Sequence, residues 1–208
     1  MLTSQKFFLM KKPLIILIVL LAAIAFWWLF FKKESHKSQP KPEAIKVGKH
    51  SAEFNQSISD AVDSYLNMKN AFVDGDTTEI KTISQKFIVV IDSLSLGDLK
   101  KDSSEILLAA QQEISDIKAN AEAILQEKDI TEMRQDFRMV SENFYPFLKT
   151  IGYEGKKLYW KNCPTAFGEN QEGNWISDSK EIINPYLGKN NANNRSGGNS
   201  AIEIKDSL

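Results

Sequence analysis

The chain has 208 residues, a formal net charge of −1, and acidic and basic residues in near balance at 27 against 26. That balance leaves no broad basic face to neutralise phosphates, so nucleic acid is not an expected partner. Cys163 is the single cysteine, which excludes an intramolecular disulfide and any multi-thiolate metal site built by one chain.

In chain order, residues 1–12 are a short tail carrying Lys6, Lys11 and Lys12, and residues 13–31 read as a transmembrane anchor. From Leu14 to Phe31 no side chain is charged or strongly polar. At about 1.5 Å per residue the run gives roughly 27 Å of helix, close to the thickness of a bilayer core. A cleaved secretory signal is the alternative, because a basic segment precedes the run and Ala23-Ile24-Ala25 resembles a small-residue cleavage site. The apolar residues continue past that site through Trp27, Trp28 and Phe31, longer than a usual signal core, and favour an uncleaved anchor. No cysteine lies near the end of the run, which removes a bacterial lipoprotein. Lys32, Lys33, Lys37 and Lys41 beyond the span match the lysines before it, so charge alone leaves the orientation undecided.

Residues 32–50 are polar, carry Pro40 and Pro42, and read as a solvated linker. Both histidines, His36 and His50, fall in it and are expected to be solvated, with no role.

Residues 51–152 then show four amphipathic stretches with apolar side chains every three or four positions. They are Phe54 to Phe72, Ile80 to Leu94, Ile106 to Ile124 and Ile130 to Ile151. Asp76 with Glu79, and Asp129 with Glu132, have capping-box spacing, while Gly75 and Gly97 sit in breaks. Short connections favour antiparallel neighbours, so the expected fold class is all-α: an antiparallel four-helix bundle behind one transmembrane helix. Pro146 is the misfit. It lacks a backbone donor and clashes with the carbonyl of Glu142, which predicts a kink late in the fourth helix.

Residues 153–188 hold no sustained period of 3.6 or 2, and large rings alternate there with turn residues. The expectation is an irregular lid across the bundle, with Asn184-Pro185 setting a turn. Residues 189–208 begin with an Asn, Gly and Ser cluster too polar to pack and read as a flexible tail.

No catalytic apparatus is visible, so the protein is not expected to be an enzyme. A cysteine nucleophile needs a base, and no histidine follows the linker. Asp60 with Asp63, and Glu132 with Asp136, lie at helical spacing among cations and read as solvated faces. Cys163 could join thioethers to hold Cu(I), but Met68 and Met133 fall on apolar stripes and read as core fillers, with Met139 also in a helix.

At Tyr159, Cys163-Pro164-Thr165-Ala166-Phe167, Trp175-Ile176-Ser177 and Asn184-Pro185-Tyr186-Leu187-Gly188 the chain resembles the bacterial family known as domain of unknown function 3347. That family couples a helical region to a C-terminal order of Tyr, Cys-Pro-Met, an aromatic, Trp-Leu-Ser, Asn-Pro-Tyr-aromatic-Gly, Met and Cys-Gly. The resemblance spans roughly residues 53–188, generic over the helices and more specific over the C-terminal run. It implies an exported envelope protein, often attached to heavy-metal efflux adaptors, with Cys and Met positions that suggest copper handling. It also implies an orientation, with residues 1–12 cytoplasmic and the bundle periplasmic on a single-pass inner-membrane anchor. The implied partners are the lipid bilayer, through residues 14–31, and a membrane efflux or envelope protein. Cys163 is the candidate metal ligand that the resemblance leaves. Thr165 replaces the family's first Met, and residues 189–198 offer Asn and Ser in place of the later Met and Cys, so a degenerate copper site is expected.

Overall fold

The computed structural model describes residues 49–195 and 199–203, all within the unit formed by residues 45–208. The expected span at residues 14–31 lies outside them, as do His36 and most of the linker. Among the described residues no helix is long and apolar enough to cross a membrane.

Four helices form where the apolar stripes predict them: α1, Ala52–Asp74; α2, Thr77–Asp92; α3, Ser104–Gln126; and α4, Ile130–Thr150. Each begins on a side-chain cap. Asp76 accepts from the amides of Thr78 and Glu79, and Asp129 from that of Thr131, as their spacing predicts. Ser51 and Ser103 cap α1 and α3 by accepting from Phe54 and Ile106 three residues on. Helix α1 stops at Gly75, whose positive φ of 82° lets its amide turn back to the carbonyl of Ala71. A short 3-10 turn, Leu96–Lys101, joins α2 to α3. Helix α4 runs through Pro146 to Thr150.

Cross-helix pairs place neighbours antiparallel. Lys81 near the start of α2 donates to the carbonyl of Leu125 at the end of α3. Tyr65 and Phe72, in order along α1, meet Ser141 and Phe137, in reverse order along α4. The core so enclosed is rich in rings: Tyr65 stacks on Phe137 and Phe144, Phe72 on Phe137, and Phe87 stands edge-on to Phe144. Met68 and Met133 are fully buried in it, as their stripe positions predict.

The all-α expectation is corrected after α4. Residues 159–203 contain a three-stranded antiparallel sheet in the order β2-β1-β3, from β1, Tyr159–Cys163, β2, Gly173–Ser177, and β3, Asn199–Glu203. The period-2 signal is missing from the sequence because the inward positions of β1 are Tyr159, Lys161 and Cys163, so a lysine interrupts the apolar alternation. In β2 every residue but Asn174 is buried, which erases alternation altogether.

Two further expectations fail at the ends of the unit. His50 is not solvated: its Nε2 lies 2.9 Å from a carboxylate oxygen of Asp102, its side chain is 6% exposed, and its ring lies 4.5 Å from that of Phe54. Next to it the amide of Ser51 donates to Asp98, whose carboxyl that bond, with help from Lys101, holds down at about 2. The partner residues are some fifty positions away, beyond reach of local pattern reading. At the other end, the first residues of the tail, 189–195, are not too polar to pack, because their amides find carbonyl partners in the lid and in α1. The side chain of Asn194 donates to the carbonyls of Asn184 and Gly188, and the amide of Lys189 donates to the carbonyl of Val73.

Candidate functional site

The run from Tyr159 to Gly188 folds as a lid on the bundle. It lies along α4, where Tyr145 stacks on Trp160, Glu142 accepts from Asn174, Arg138 donates to the carbonyl of Glu172, and Arg134 donates to that of Pro185. Cys163 closes β1 opposite Gly173 and is 1% exposed. A Cβ at Gly173 would stand 2.7 Å from the ring of Tyr186 and 2.8 Å from the Cβ of Ala166, so glycine is what admits the ring. The Tyr186 hydroxyl donates to the carbonyl of Asn174, and Trp175, Phe137 and Phe167 surround its ring. Asn184 shapes the turn that presents this tyrosine, its side-chain oxygen accepting from the amide of Tyr186 at 2.9 Å. The sequence placed the turn correctly; the physical device is an Asx turn.

A buried hydroxyl relay couples lid to bundle. The amide of Ile176 in β2 donates to the Tyr65 hydroxyl at 3.1 Å. Tyr65 then donates to Ser141, 2.7 Å away, because the Ser141 hydroxyl is committed to the carbonyl of Phe137 at 2.9 Å. Burial drives the Tyr65 phenol far above its ordinary range, so it keeps the proton that this direction requires. Tyr65 is legible in the sequence only as a stripe member. The remaining signal is Ser141, a polar side chain at a core-facing position of α4.

Two lysines are also buried. Lys161 donates to the carbonyl of Lys180 at 2.6 Å and lies 5.4 Å from the centre of the Tyr159 ring. Lys69, on the core face of α1, is held below the ordinary ammonium range mainly by burial, which Asp178 opposes and Lys161 reinforces. Both positions carry long apolar stems, which fill space that a charge alone could not.

Asp136 departs from its expected solvated role. One carboxylate oxygen is buried without a hydrogen-bond partner, and desolvation, then Glu127 and Glu132, push its pKa up to about 6. Asp60, in contrast, is an exposed side chain that accepts from Gln56 one turn earlier, as a solvated face should.

These residues do not fit a multi-ligand soft-metal site. Cys163 is sealed into the apolar core, Met68 and Met133 are core members of the bundle, and Thr165 is an exposed hydroxyl. Among the described residues, no three His, Cys, Asp or Glu side chains converge as a metal site would require. The chemistry on offer is that of a closed aromatic lid with one sheltered thiol.

No curated protein and no solved structure matches the chain. A family model does match, from the third turn of α1 to the segment just before β1, so it covers most of the helical region and stops short of the lid that carries the more specific sequence pattern. Residues 61–156, somewhat under half of the chain, match the model of the family described as "Protein of unknown function (DUF3347)", and it is to that family that this part of the chain is similar.

Proposed function

We propose that the protein is a non-enzymatic module tethered by residues 14–31 to the bacterial inner membrane, with its bundle and lid in the periplasm. There it serves as an accessory to copper or heavy-metal handling, through contact with an efflux or envelope protein, and its own metal site is degenerate. The observation that carries this reading is the use of the Cys163 to Gly188 run as packing. Its lone soft donor is 1% exposed, and the surrounding positions hold rings, a turn and a glycine contact in place of thioethers.

A Cu(I) titration of the full chain in detergent micelles, beside Cys163→Ser, tests the degenerate site. Weak uptake that is identical in the two proteins is expected. A stoichiometric site that disappears in Cys163→Ser would overturn it. The accessory role is tested by cross-linking in membranes followed by affinity capture. Recovery of an efflux component supports it, whereas recovery of envelope-structure proteins alone, with no metal-handling partner, favours a structural envelope interaction domain.

A further inference from the structure

The seam between α1 and the lid holds two buried ammonium groups, Lys69 at 4% exposed and Lys161 at 1%. Tyr65, one turn before Lys69 on α1, receives the amide of Ile176 in β2. Trp175, next to Ile176, is the residue opposite Lys161 in the ladder between β1 and β2, so both lysines belong to the same part of the seam. Lys161 commits one N–H to the carbonyl of Lys180, which leaves two. Among the described residues Lys69 forms no hydrogen bond and no ion pair. Its Nζ is not one of the fully buried atoms left without a partner, so the ammonium sits at the small part of the residue that solvent reaches. Removing an ammonium from water is costly unless an anion or an acceptor meets it. The carboxylate that acts on Lys69, that of Asp178, belongs to an exposed residue and does not pair with it.

We propose that Lys69 and Lys161 form a binding site for a small free carboxylate, each ammonium donating to one of its two oxygens. Charge-assisted bonds of this kind are among the stronger ones, and a planar group with two acceptors matches two donor heads. Asp178 weighs against a doubly charged ion such as phosphate, and the narrow opening over Lys69 weighs against a carboxylate carried on another protein. Burial and the Lys161 charge hold the Lys69 ammonium below its ordinary range, and a bound anion offsets both effects. The site goes beyond the accessory role proposed above and does not depend on it.

Acetate is the probe, titrated into the full chain in detergent micelles at constant ionic strength, with chloride as the replacement salt. Binding is read by the saturation that the protein transfers to the acetate methyl group in proton NMR. Saturable transfer is expected, with a dissociation constant on the order of 1 mM, in keeping with so few atoms. Lys69→Met and Lys161→Met keep the apolar stems and should each weaken binding at least about tenfold. Asp178→Asn, at an exposed position, should strengthen it about threefold, and this comparison carries the test on a native fold if either methionine variant melts early. Transfer that is absent, or equal in the wild type and both lysine variants, overturns the proposal, as does weaker binding in Asp178→Asn. Phosphate and an end-blocked Gly-Glu-Gly peptide, each at the acetate concentration, should leave the acetate signal unchanged. Displacement by phosphate would make this a general oxyanion site, and displacement by the peptide a docking point for a protein carboxylate; either result overturns the assignment to a free carboxylate.

Discussion

The bundle and the lid are stabilised by different kinds of information. In the bundle, helices α1 to α4 bury continuous apolar stripes, and the ring cluster of Tyr65, Phe72, Phe87, Phe137 and Phe144 excludes water without needing any single hydrogen bond. In the lid, position depends on individual atoms: the missing Cβ of Gly173, the side-chain oxygen of Asn184 and the phenol of Tyr65. A pattern of many weak preferences tolerates substitution and can be read along the sequence. A set of single-atom fits does neither.

Phe137→Ala should break the comparison most severely. Phe137 is fully buried and touches rings of α1 and of the lid, stacking on Tyr65 and Phe72 and tilting against Tyr186. Truncation should cost about 3–5 kcal/mol and lower helix and lid signals together in a urea or thermal melt. If the helical signal melted at its wild-type midpoint, Phe137 would belong to the lid alone and the shared core would be wrong.

Gly173→Ala should separate the regions. The added methyl meets the Tyr186 ring and Ala166, neither of which can retreat without leaving the packed core, at an expected cost of about 1–3 kcal/mol. The loss should fall on the lid: Trp160 and Trp175 should become more accessible to a fluorescence quencher while the far-ultraviolet helix signal stays. A parallel loss of helix would mean the lid and bundle fold as one unit.

Much of this division was visible beforehand. The four helices and two of their caps were legible because an apolar residue every three or four positions reports burial directly, and Asp76 and Asp129 act within their own first turn. The sheet was not legible, since Lys161 and Gly173 occupy inward positions that an apolar alternation would assign to large side chains. His50 was lost for another reason, its partner Asp102 being set by the fold and by nothing nearby in the chain. Of the candidate site, the family-like run drew attention to Cys163, Trp175 and Tyr186. The groups that hold that run in place, Tyr65, Ser141, Arg134 and Asn194, carry no motif of their own.

Tyr65→Phe sharpens the comparison by removing one oxygen from the seam. The ring and its stacking remain, but the Ile176 amide and the Ser141 hydroxyl each lose a buried partner, a loss of about 1–3 kcal/mol. Hydrogen exchange should show β2 opening more readily while α2 and α3 keep their protection. Unchanged exchange at Ile176 would mean that water replaces the phenol and that the relay does not hold the strand.

The smallest effect belongs to Asp136, whose partly buried carboxyl is a charge penalty inside the bundle's own fourth helix. In the folded chain its proton is held to about pH 6, whereas the unfolded chain releases it near the ordinary value of about 4. The folded form binds more proton between those values, so the stabilisation is complete below about pH 4 and is lost as the pH rises through about 6. Asp136→Asn removes that titration and should flatten the decline from pH 4 to pH 7. The side chain is only partly buried and solvent screens its interaction with Glu127 and Glu132, so the gain at neutral pH should stay within about 0.5 kcal/mol. Matched urea melts at pH 4.5 and 7.5 would resolve the difference in slope. A variant that declines as steeply as the wild type would place the pH dependence elsewhere, with half-buried Glu113, whose carboxyl is also raised by desolvation, the next group to replace.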